Sequence, residues 1–314
     1  MGVWQKILFY FKATLAVTVL SACALYGVIA SVILTCIGQQ RLAQWTTARS
    51  FYHVVGAVLG IDVRVINAEN LEKLPAIFVS NHQSALDILM LGRTFPQGCT
   101  VTAKKSLKWV PFLGWFMALS GTLFLDRGNR EKSVRTLNKA LRQLHSEKRG
   151  LWIFPEGTRS HSSKICLLPF KKGAFHLAQQ GKIPIIPVAV SNTSTLLSSK
   201  YKVFNRGVIT VKVLDPIPTA DLKPEDVGAL TNKVRDLLQK EIEQLGYSEA
   251  IVDTDLPPEA KSVLTSSSEV SDVSDAEQDD STSSKDTVEE VVETLEHEEE
   301  DGEQAEDRDV AEAE

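Results

Sequence analysis

The sequence predicts an α/β domain with a largely parallel, helix-covered sheet, an apolar N-terminal segment and an acidic C-terminal tail. Short strand-like runs alternate with amphipathic helical patterns, which favours a parallel sheet because each crossover helix covers one of its faces. No charged residue occurs between Lys12 and Arg41, and Asp, Glu, Ser and Thr dominate from Asp253 onward. The chain is therefore expected to divide into residues 1–60, 61–252 and 253–314.

The N-terminal segment is expected to be a retained membrane anchor. Residues 13–37 are mostly Leu, Val, Ile, Ala and Thr, and a helix of this length can cross a hydrocarbon core of about 30 Å. A cleaved signal peptide is the alternative, since Ala22-Cys23-Ala24 resembles a cleavage site, but the apolar sequence continues past it. Basic residues lie on both sides of the segment, so the positive-inside rule leaves its orientation open.

Two further apolar runs have alternative interpretations. Residues 51–61 are too few to span a bilayer, so this run is expected to lie in the interface or to pack on the body. Residues 106–125 are long enough to span, but one proline and two glycines interrupt them. Three lysines precede the two tryptophans of this run, which suits docking at lipid headgroups. A buried helix fits equally well, because apolar periodicity does not separate the two.

Runs rich in β-branched and aromatic residues predict the strands of the α/β domain. They are Val63–Ile66, Ala76–Ser80, Thr100–Ala103, Thr122–Leu125, Leu151–Phe154, Ile185–Val190 and Val208–Leu214. Two helical patterns fall between or after them, with apolar faces formed by Val134, Leu137, Leu141 and Leu144 and by Val227, Leu230, Val234 and Leu237. In α/β sheets ligands collect at the carboxyl ends of strands, so polar residues that follow these strands are candidates for a site.

The first candidate is Asn81-His82-Gln-Ser-Ala-Leu-Asp87, which follows the second predicted strand. A histidine can accept a proton at neutral pH because its unperturbed pKa is about 6.5, and a nearby carboxylate can hold its tautomer. Five residues of ideal helix place two side chains about 140° apart, so His82 is expected before the helix and Asp87 within it. Alternatively, Ser84 and Asp87 have the spacing of a helix capping box, and Asp87 would then be only a cap.

The second candidate is Phe154-Pro-Glu-Gly-Thr-Arg-Ser160, in which an apolar strand runs into a turn. Gly157 allows the backbone to approach a ligand closely. Arg159 offers a planar fork of donors suited to phosphate, and Glu156 could orient that fork. The alternative is a surface turn with a Glu–Arg ion pair that contributes about 0–1 kcal/mol. Lys172 is a further phosphate candidate, with a merely solvated lysine as its alternative.

Two more blocks, Gly121-Thr-Leu-Phe-Leu-Asp-Arg127 and Ile183-Pro-Ile-Ile-Pro-Val188, complete a pattern. The four blocks together resemble the glycerolipid acyltransferase family, and most closely its lysophosphatidate (1-acylglycerol-3-phosphate) acyltransferases of fungal type. The resemblance covers roughly residues 60–250 and makes 61–252 the acyltransferase domain. It implies that His82 and Asp87 are catalytic. The residues that it implies for substrate binding are Arg127, Glu156, Gly157, Thr158 and Arg159.

The resemblance also implies a reaction: a fatty acyl group passes from acyl-CoA to the sn-2 hydroxyl of lysophosphatidate, giving phosphatidate and CoA, with no metal and no cofactor. An acyltransferase for glycerol 3-phosphate or another lysophospholipid is the nearest alternative. A hydrolase would have little use for two arginine-bearing blocks, and a non-enzymatic membrane adaptor would not need His82 together with Asp87. The implied location is a membrane, with the endoplasmic reticulum first and lipid droplets as a further candidate.

Charge divides the body from the tail. Residues 1–252 contain 16 acidic and 31 basic residues, a net charge of +15, whereas residues 253–314 contain 24 and 3, a net charge of −21. A basic body suits an anionic bilayer, acyl-CoA and a phosphorylated lipid. No nucleic-acid partner is expected, because no helix-turn-helix, zinc-finger or RNA-binding signature accompanies the charge.

The tail has too little apolar surface to offset its ordering entropy, so it is expected to be disordered. None of the four blocks lies in it, and deletion of residues 257–314 is therefore expected to preserve catalysis. The cysteines at positions 23, 36, 99 and 166 form no CxxC pair. Neither a disulfide framework nor a zinc site is expected from this spacing.

Overall fold

The structure, a computed structural model, describes residues 3–125, 136–137, 141, 144–251 and 254–263. Its helices are α1 Val3–Cys36, α2 Ala43–Leu59, α3 Asp87–Thr94, α4 Leu113–Leu119, α5 Gly173–Gly181 and α6 Val227–Leu245. Its strands are β1 Ile61–Ile66, β2 Ala76–Ser80, β3 Thr100–Lys104, β4 Leu123–Leu125, β5 Gly150–Ile153, β6 Ile185–Val190, β7 Leu197–Ser198, β8 Val203–Phe204, β9 Arg206–Val213 and β10 Glu249–Ile251.

The central sheet has the strand order β1-β9-β6-β2-β5-β3-β4, and β10 pairs with β9. Strands β2 to β6 are mutually parallel, whereas β1 and β9 run the other way, because β6 and β9 are antiparallel. The predicted largely parallel, helix-covered sheet is confirmed. Strands β2 and β6 have the predicted bounds. The prediction missed β7, β8 and β10, which are only two or three residues long and too short to show an alternating pattern.

Both faces of the sheet are buried, as the unbroken apolar runs of the central strands require. On one face, Phe78 of β2 stacks on Trp152 of β5 with ring centroids 5.1 Å apart, in the core cluster that includes residues of α1, α2 and α3. On the other face, Ile77 and Val79 join the cluster formed with α5 and α6. In α6 the predicted apolar face is buried at Val227, Leu230 and Val234. The helix predicted over Val134, Leu137, Leu141 and Leu144 falls largely outside the described residues, although Leu137 and Leu144 are buried.

Helix α1 is long and apolar enough to cross a membrane, by length and composition, and it is the one such helix among the described residues. It also packs on the body. A Cβ on Gly27 would lie 2.6 Å from Thr47 Cγ2 of α2 and 2.8 Å from Phe116 Cδ2 of α4. Near the start of α1, the ring of Phe9 lies 6.3 Å from that of Phe204 in β8. The segment predicted as a membrane anchor therefore contacts the α/β body at both ends.

The two shorter apolar runs form compact local structure. Residues 51–59 belong to α2, whose buried face packs on the body, as one of the two interpretations predicted. Residues 106–125 do not form one continuous helix, so the buried-helix interpretation is wrong, and docking at headgroups stays a prediction. A 3-10 turn at Lys105–Trp109 precedes α4 and β4, and the positive φ angles of Phe112 (+59°) and Gly121 (+85°) separate these elements. Trp109 and Trp115 are exposed.

Residues 254–263, which the sequence assigns to the acidic tail, pack on the body. Thr254 and Ala260 are buried. The side chain of Asn205, which follows β8, accepts a hydrogen bond from Thr254 N (2.6 Å) and donates one to Thr254 O (3.1 Å). The compact unit ends at Ser266, and residues 264–314, for which disorder is predicted, lie outside the described residues.

These contacts change the expected result of truncation. Removal of residues 267–314 should preserve specific activity, since the compact unit is left complete. Removal from residue 254 onward should lower thermal stability, because the buried amide of Asn205 then loses partners at a cost of about 1–3 kcal/mol. Both expectations can be checked by measuring the unfolding temperature and specific activity of each truncated protein beside those of the full chain. A loss of orders of magnitude in activity on removal of 267–314 would show that the acidic tail has a catalytic or folding role.

Candidate active site

The two sequence motifs meet at one edge of the sheet. Because β2, β5 and β6 are parallel, their carboxyl ends lie together. His82 follows β2, Glu156 follows β5 and Asn192 follows β6. Two backbone hydrogen bonds join the motif segments directly, from Ser160 N to His82 O and from His161 N to Gln83 O, both 3.0 Å. The expectation that both motifs face one site is confirmed.

His82 and Asp87 form a close pair at this edge. His82 Nδ1 lies 2.6 Å from Asp87 Oδ2, and the side chains are 17% and 3% exposed. His82 precedes α3 and Asp87 is its first residue, as predicted. An ionised carboxylate can only accept hydrogen bonds, so the proton between them is on Nδ1 and Nε2 has a free lone pair. This arrangement can take a proton from a substrate hydroxyl.

Asp87 also binds the backbone before α3, although the reciprocal capping box of Ser84 and Asp87 is not formed, because Ser84 Oγ accepts from Leu86 N. Its Oδ2 accepts hydrogen bonds from Gln83 N (2.9 Å) and Ser84 N (3.2 Å), and its Oδ1 is buried without a partner in the described part of the chain. The two interpretations are therefore compatible. One carboxylate fixes the backbone that leads into α3 and orients the imidazole of His82.

Polar side chains that were not singled out from the sequence hold the loop in place. Asn81 acts as an extension of the sheet, since its amide donates to Val190 O (3.0 Å) and accepts from Val190 N (2.9 Å). Gln83 joins two loops, donating to Ser162 O (2.9 Å) and accepting from Thr193 N (2.8 Å). No local pattern indicates such bonds. Their one sequence signal is position, directly after a buried strand.

Phe154, the first residue of the second motif, supports the imidazole itself. Its ring stacks on that of His82 with centroids 4.1 Å apart and an interplanar angle of 21°. The ring covers one face of the histidine, so rotation of the imidazole is restricted from that side. A small cavity opens at the same junction, lined among others by His82, Glu156, Asn192 and Ile242.

Glu156 is buried and fully engaged by backbone groups. Its Oε1 accepts from His82 N (2.7 Å) and its Oε2 from Leu168 N (3.1 Å). Burial raises the pKa of the Glu156 carboxyl above its usual range, although these two N–H groups act in the opposite direction. The carboxylate thus faces the histidine backbone, whereas the sequence suggested that it orients Arg159.

Glu156→Gln is expected to separate activity from stability. The amide keeps one acceptor oxygen and sets an NH₂ against the second N–H, so His82 should shift and kcat should fall about 10- to 10²-fold. The raised pKa means that the stability linked to Glu156 is fully present below its unfolded pKa, about 4.3, and is lost as pH rises through the folded value. Glutamine does not ionise, so the variant should gain stability relative to wild type as the pH rises above about 4.3.

Steady-state kinetics at pH 7, with thermal unfolding at pH 4 and pH 7, measure both effects. Unchanged kcat would show that this carboxylate is not needed to hold His82. A stability difference that is independent of pH would show that folding does not raise the pKa of Glu156.

Three of the other predicted substrate-binding residues, Gly157, Thr158 and Arg159, lie in the turn that follows β5. Gly157 has a φ of +71°, a conformation that favours glycine. Thr158 and Arg159 are exposed beside it. Lys172 lies apart from the turn, with Nζ 3.8 Å from the position of a Cβ on Gly228 in α6. Arg127 lies outside the described residues, and β4 ends two residues before it in the sequence.

Comparisons with known proteins agree with this geometry. Residues 62–191 match the family model described as Acyltransferase. The 1-acyl-sn-glycerol-3-phosphate acyltransferase of Saccharomyces cerevisiae is 60% identical over 260 residues, 83% of this chain and 86% of the yeast protein. The human 1-acyl-sn-glycerol-3-phosphate acyltransferase alpha is 38% identical over 177 residues, 56% of this chain and 62% of its own.

The fold is also similar to a solved structure. The crystal structure of the 1-acyl-sn-glycerophosphate acyltransferase of Thermotoga maritima matches with a TM-score of 0.59 and 25% identity, over 78% of this chain and 95% of that one. Fold and motifs together define an acyltransferase domain. The yeast relative, matched over most of both chains, identifies the family within this class. The chain belongs to the 1-acyl-sn-glycerol-3-phosphate acyltransferase family.

Proposed function

We propose that this protein transfers a fatty acyl group from acyl-CoA to the sn-2 hydroxyl of lysophosphatidate, giving phosphatidate for phospholipid synthesis. The contact between His82 Nδ1 and Asp87 Oδ2, at the edge of the sheet that also presents Arg159, supports this most directly. A proton acceptor and a phosphate ligand are then available to one acceptor molecule. The names of the yeast and human relatives support the same acceptor.

The proposed chemistry is general base catalysis with the substrate as nucleophile. His82 Nε2 takes the hydroxyl proton as the oxygen attacks the thioester carbonyl, and Asp87 stabilises the resulting imidazolium. The new C–O bond forms, the C–S bond of the thioester breaks, and the departing thiolate takes the proton from Nε2. Atoms and charge balance with one phosphatidate and one CoA as products.

Two further contacts keep the base in position. The Glu156 carboxylate holds His82 through its backbone N–H, and the ring of Phe154 stacks on the imidazole. Orientation matters because a displacement of about 1 Å can cost about 10²-fold in rate. In this proposal Glu156 serves the acceptor site as a positioning residue.

The acceptor phosphate is assigned to the turn after β5. Arg159 is exposed and makes no side-chain hydrogen bond or ion pair with a described residue, so its guanidinium is available. Gly157 has a positive φ, which favours glycine, and Thr158 adds a hydroxyl to the turn. Arg127 is proposed as a second cation on the basis of its motif. A phosphomonoester carries about −1.5 to −2 charges at neutral pH and matches two cations better than one.

The proposed location of the enzyme is a membrane surface, with the endoplasmic reticulum as the first candidate and lipid droplets as a further one. Helix α1 is apolar along its exposed side. Trp109 and Trp115 are exposed behind the basic run that contains Lys105 and Lys108, a combination typical of headgroup contact. An acceptor that already bears one acyl chain is concentrated at such a surface, and acyl-CoA is an amphiphile as well.

Kinetic comparison of three acyl acceptors tests this proposal. Purified full-length protein with labelled acyl-CoA is expected to have its highest kcat/KM on lysophosphatidate, above glycerol 3-phosphate and lysophosphatidylcholine. A choline-capped phosphate offers fewer free oxygens for bidentate contacts, and glycerol 3-phosphate gains nothing from the bilayer. Equal efficiency on all three acceptors would show that the proposed specificity is wrong. A preference for glycerol 3-phosphate would indicate the nearest related activity.

Arg159→Lys is expected to raise the KM for lysophosphatidate about tenfold or more. Lysine keeps the charge but loses the planar fork that binds phosphate through two parallel bonds. The KM for acyl-CoA should stay within about twofold. Unchanged lysophosphatidate kinetics in this variant would remove Arg159 from the acceptor site.

A further inference from the structure

A lysine that sequence reasoning passed over lies against the glycine of the second motif. If a Cβ were present on Gly157, it would lie 3.1 Å from Lys171 Cε, 3.2 Å from Cδ and 3.2 Å from Nζ. The side chain of Lys171 therefore crosses the space that a larger residue at position 157 would fill. Gly157 thus serves two purposes, since it adopts a φ of +71° and makes room for the lysine.

The backbone holds Lys171 at this place. Lys171 N donates to Pro155 O at 2.9 Å, inside the turn that Gly157 N closes on Phe154 O at 3.1 Å. Three residues earlier, Leu168 N donates to Glu156 Oε2. The segment before α5 is thus tied to the turn twice, so the Cα of Lys171 is fixed beside the residues that precede Arg159.

The ammonium of Lys171 is available for a ligand. The residue is exposed, and its side chain makes no hydrogen bond or ion pair with a described residue. The nearest carboxylate of the motif, Glu156, is buried and already accepts two N–H groups. Lys172, the lysine favoured from the sequence, points instead to Gly228 on α6. An exposed cation that has no partner among the described residues, held against the turn that carries Arg159, suits an anionic ligand.

We propose that Lys171 binds the phosphate of the acceptor together with Arg159, and that it, not Lys172, is the lysine of this site. This inference rests on the proposed function, which places the acceptor phosphate at the same turn. Lys171 contributes a point charge on a flexible stem, whereas Arg159 contributes a rigid fork. Because the bond is to the phosphate and not to the reacting carbonyl, its loss should raise KM for the acceptor more than it lowers kcat.

The test compares three lysines in the purified full chain. Lys171→Gln is expected to raise the KM for lysophosphatidate about tenfold or more, as loss of a hydrogen bond to a charged group would, with kcat changed less than about threefold. Lys171→Arg should restore most of the affinity because the charge returns. Lys172→Gln tests the rival lysine, and Lys182→Gln, an exposed lysine at the far end of α5, serves as the control; both should stay within about twofold.

Two outcomes would overturn the assignment. The first is an unchanged KM for lysophosphatidate in Lys171→Gln, or an equal rise in Lys172→Gln. The second is a rise in the KM for acyl-CoA in place of the acceptor, which would assign Lys171 to the phosphates of CoA. Binding can also be measured without turnover, as the rise in unfolding temperature that glycerol 3-phosphate causes in wild type and in Lys171→Gln. A smaller rise in the variant would show that Lys171 binds the phosphate. A protein that binds this phosphate through Lys171 but does not acylate lysophosphatidate would retain the inference and contradict the proposed function.

Discussion

His82→Ala is expected to abolish acyl transfer while the protein remains folded and membrane-bound. The imidazole lies against a buried carboxylate, and loss of a general base typically costs about 10²–10⁴-fold. The side chain makes no other hydrogen bond among the described residues, and its removal leaves the backbone bond to Glu156 in place. Activity should therefore fall far more than stability.

The measurement is specific activity per amount of purified protein, beside the thermal unfolding midpoint. His176→Ala, at a partly buried position on α5 and outside both motifs, is the matched control and should keep wild-type activity. Near-normal turnover of a well-folded His82→Ala protein would exclude the proposed base.

Asp87→Asn is expected to reduce kcat about 10²–10⁴-fold. The neutral amide no longer stabilises the imidazolium that forms during transfer. The amide oxygen can still accept from Gln83 N and Ser84 N, the bonds that lead into α3. The folded state should therefore survive while the reaction does not.

Asp226→Asn provides a control for the capping role alone. Asp226 Oδ2 accepts from Lys223 N (2.8 Å) at the start of α6, so this carboxylate also caps a helix but has no histidine beside it. A cap of this kind is worth about 0.5–2 kcal/mol, and activity should be unaffected. If Asp87→Asn lost only a comparable amount of stability and kept its activity, Asp87 would be a cap and nothing more.

The features that could be predicted from the sequence are those with a local physical cause. Strands β2 and β6 are unbroken apolar runs between turn residues, and they have the predicted bounds. The five-residue spacing of His82 and Asp87 places one before a helix and the other within it, as found. The α/β class follows from alternation of elements, and the carboxyl edge as the place of the site follows from the class.

The features that could not be predicted depend on which segments meet in space. Asn81 and Gln83 bind groups about 110 positions away in the sequence. Lys171 and Lys172 are equivalent as sequence neighbours. They differ in space, because Lys171 N donates to Pro155 O and its side chain lies against Gly157. Residues 106–125 have the length of a span, yet two positive φ angles divide them into short elements. Residues 254–263 resemble the acidic tail in composition, yet they pack beside β8 through both polar and apolar contacts.

In the proposed mechanism, His82 activates the hydroxyl of a phosphate-bound acceptor and not a water molecule. The most direct measurement is the ratio of phosphatidate formed to CoA released by the purified full-length protein, with and without lysophosphatidate. The proposed mechanism predicts one phosphatidate for each CoA, and CoA release near background when the acceptor is omitted. Release of CoA with free fatty acid, at a rate independent of lysophosphatidate, would contradict it.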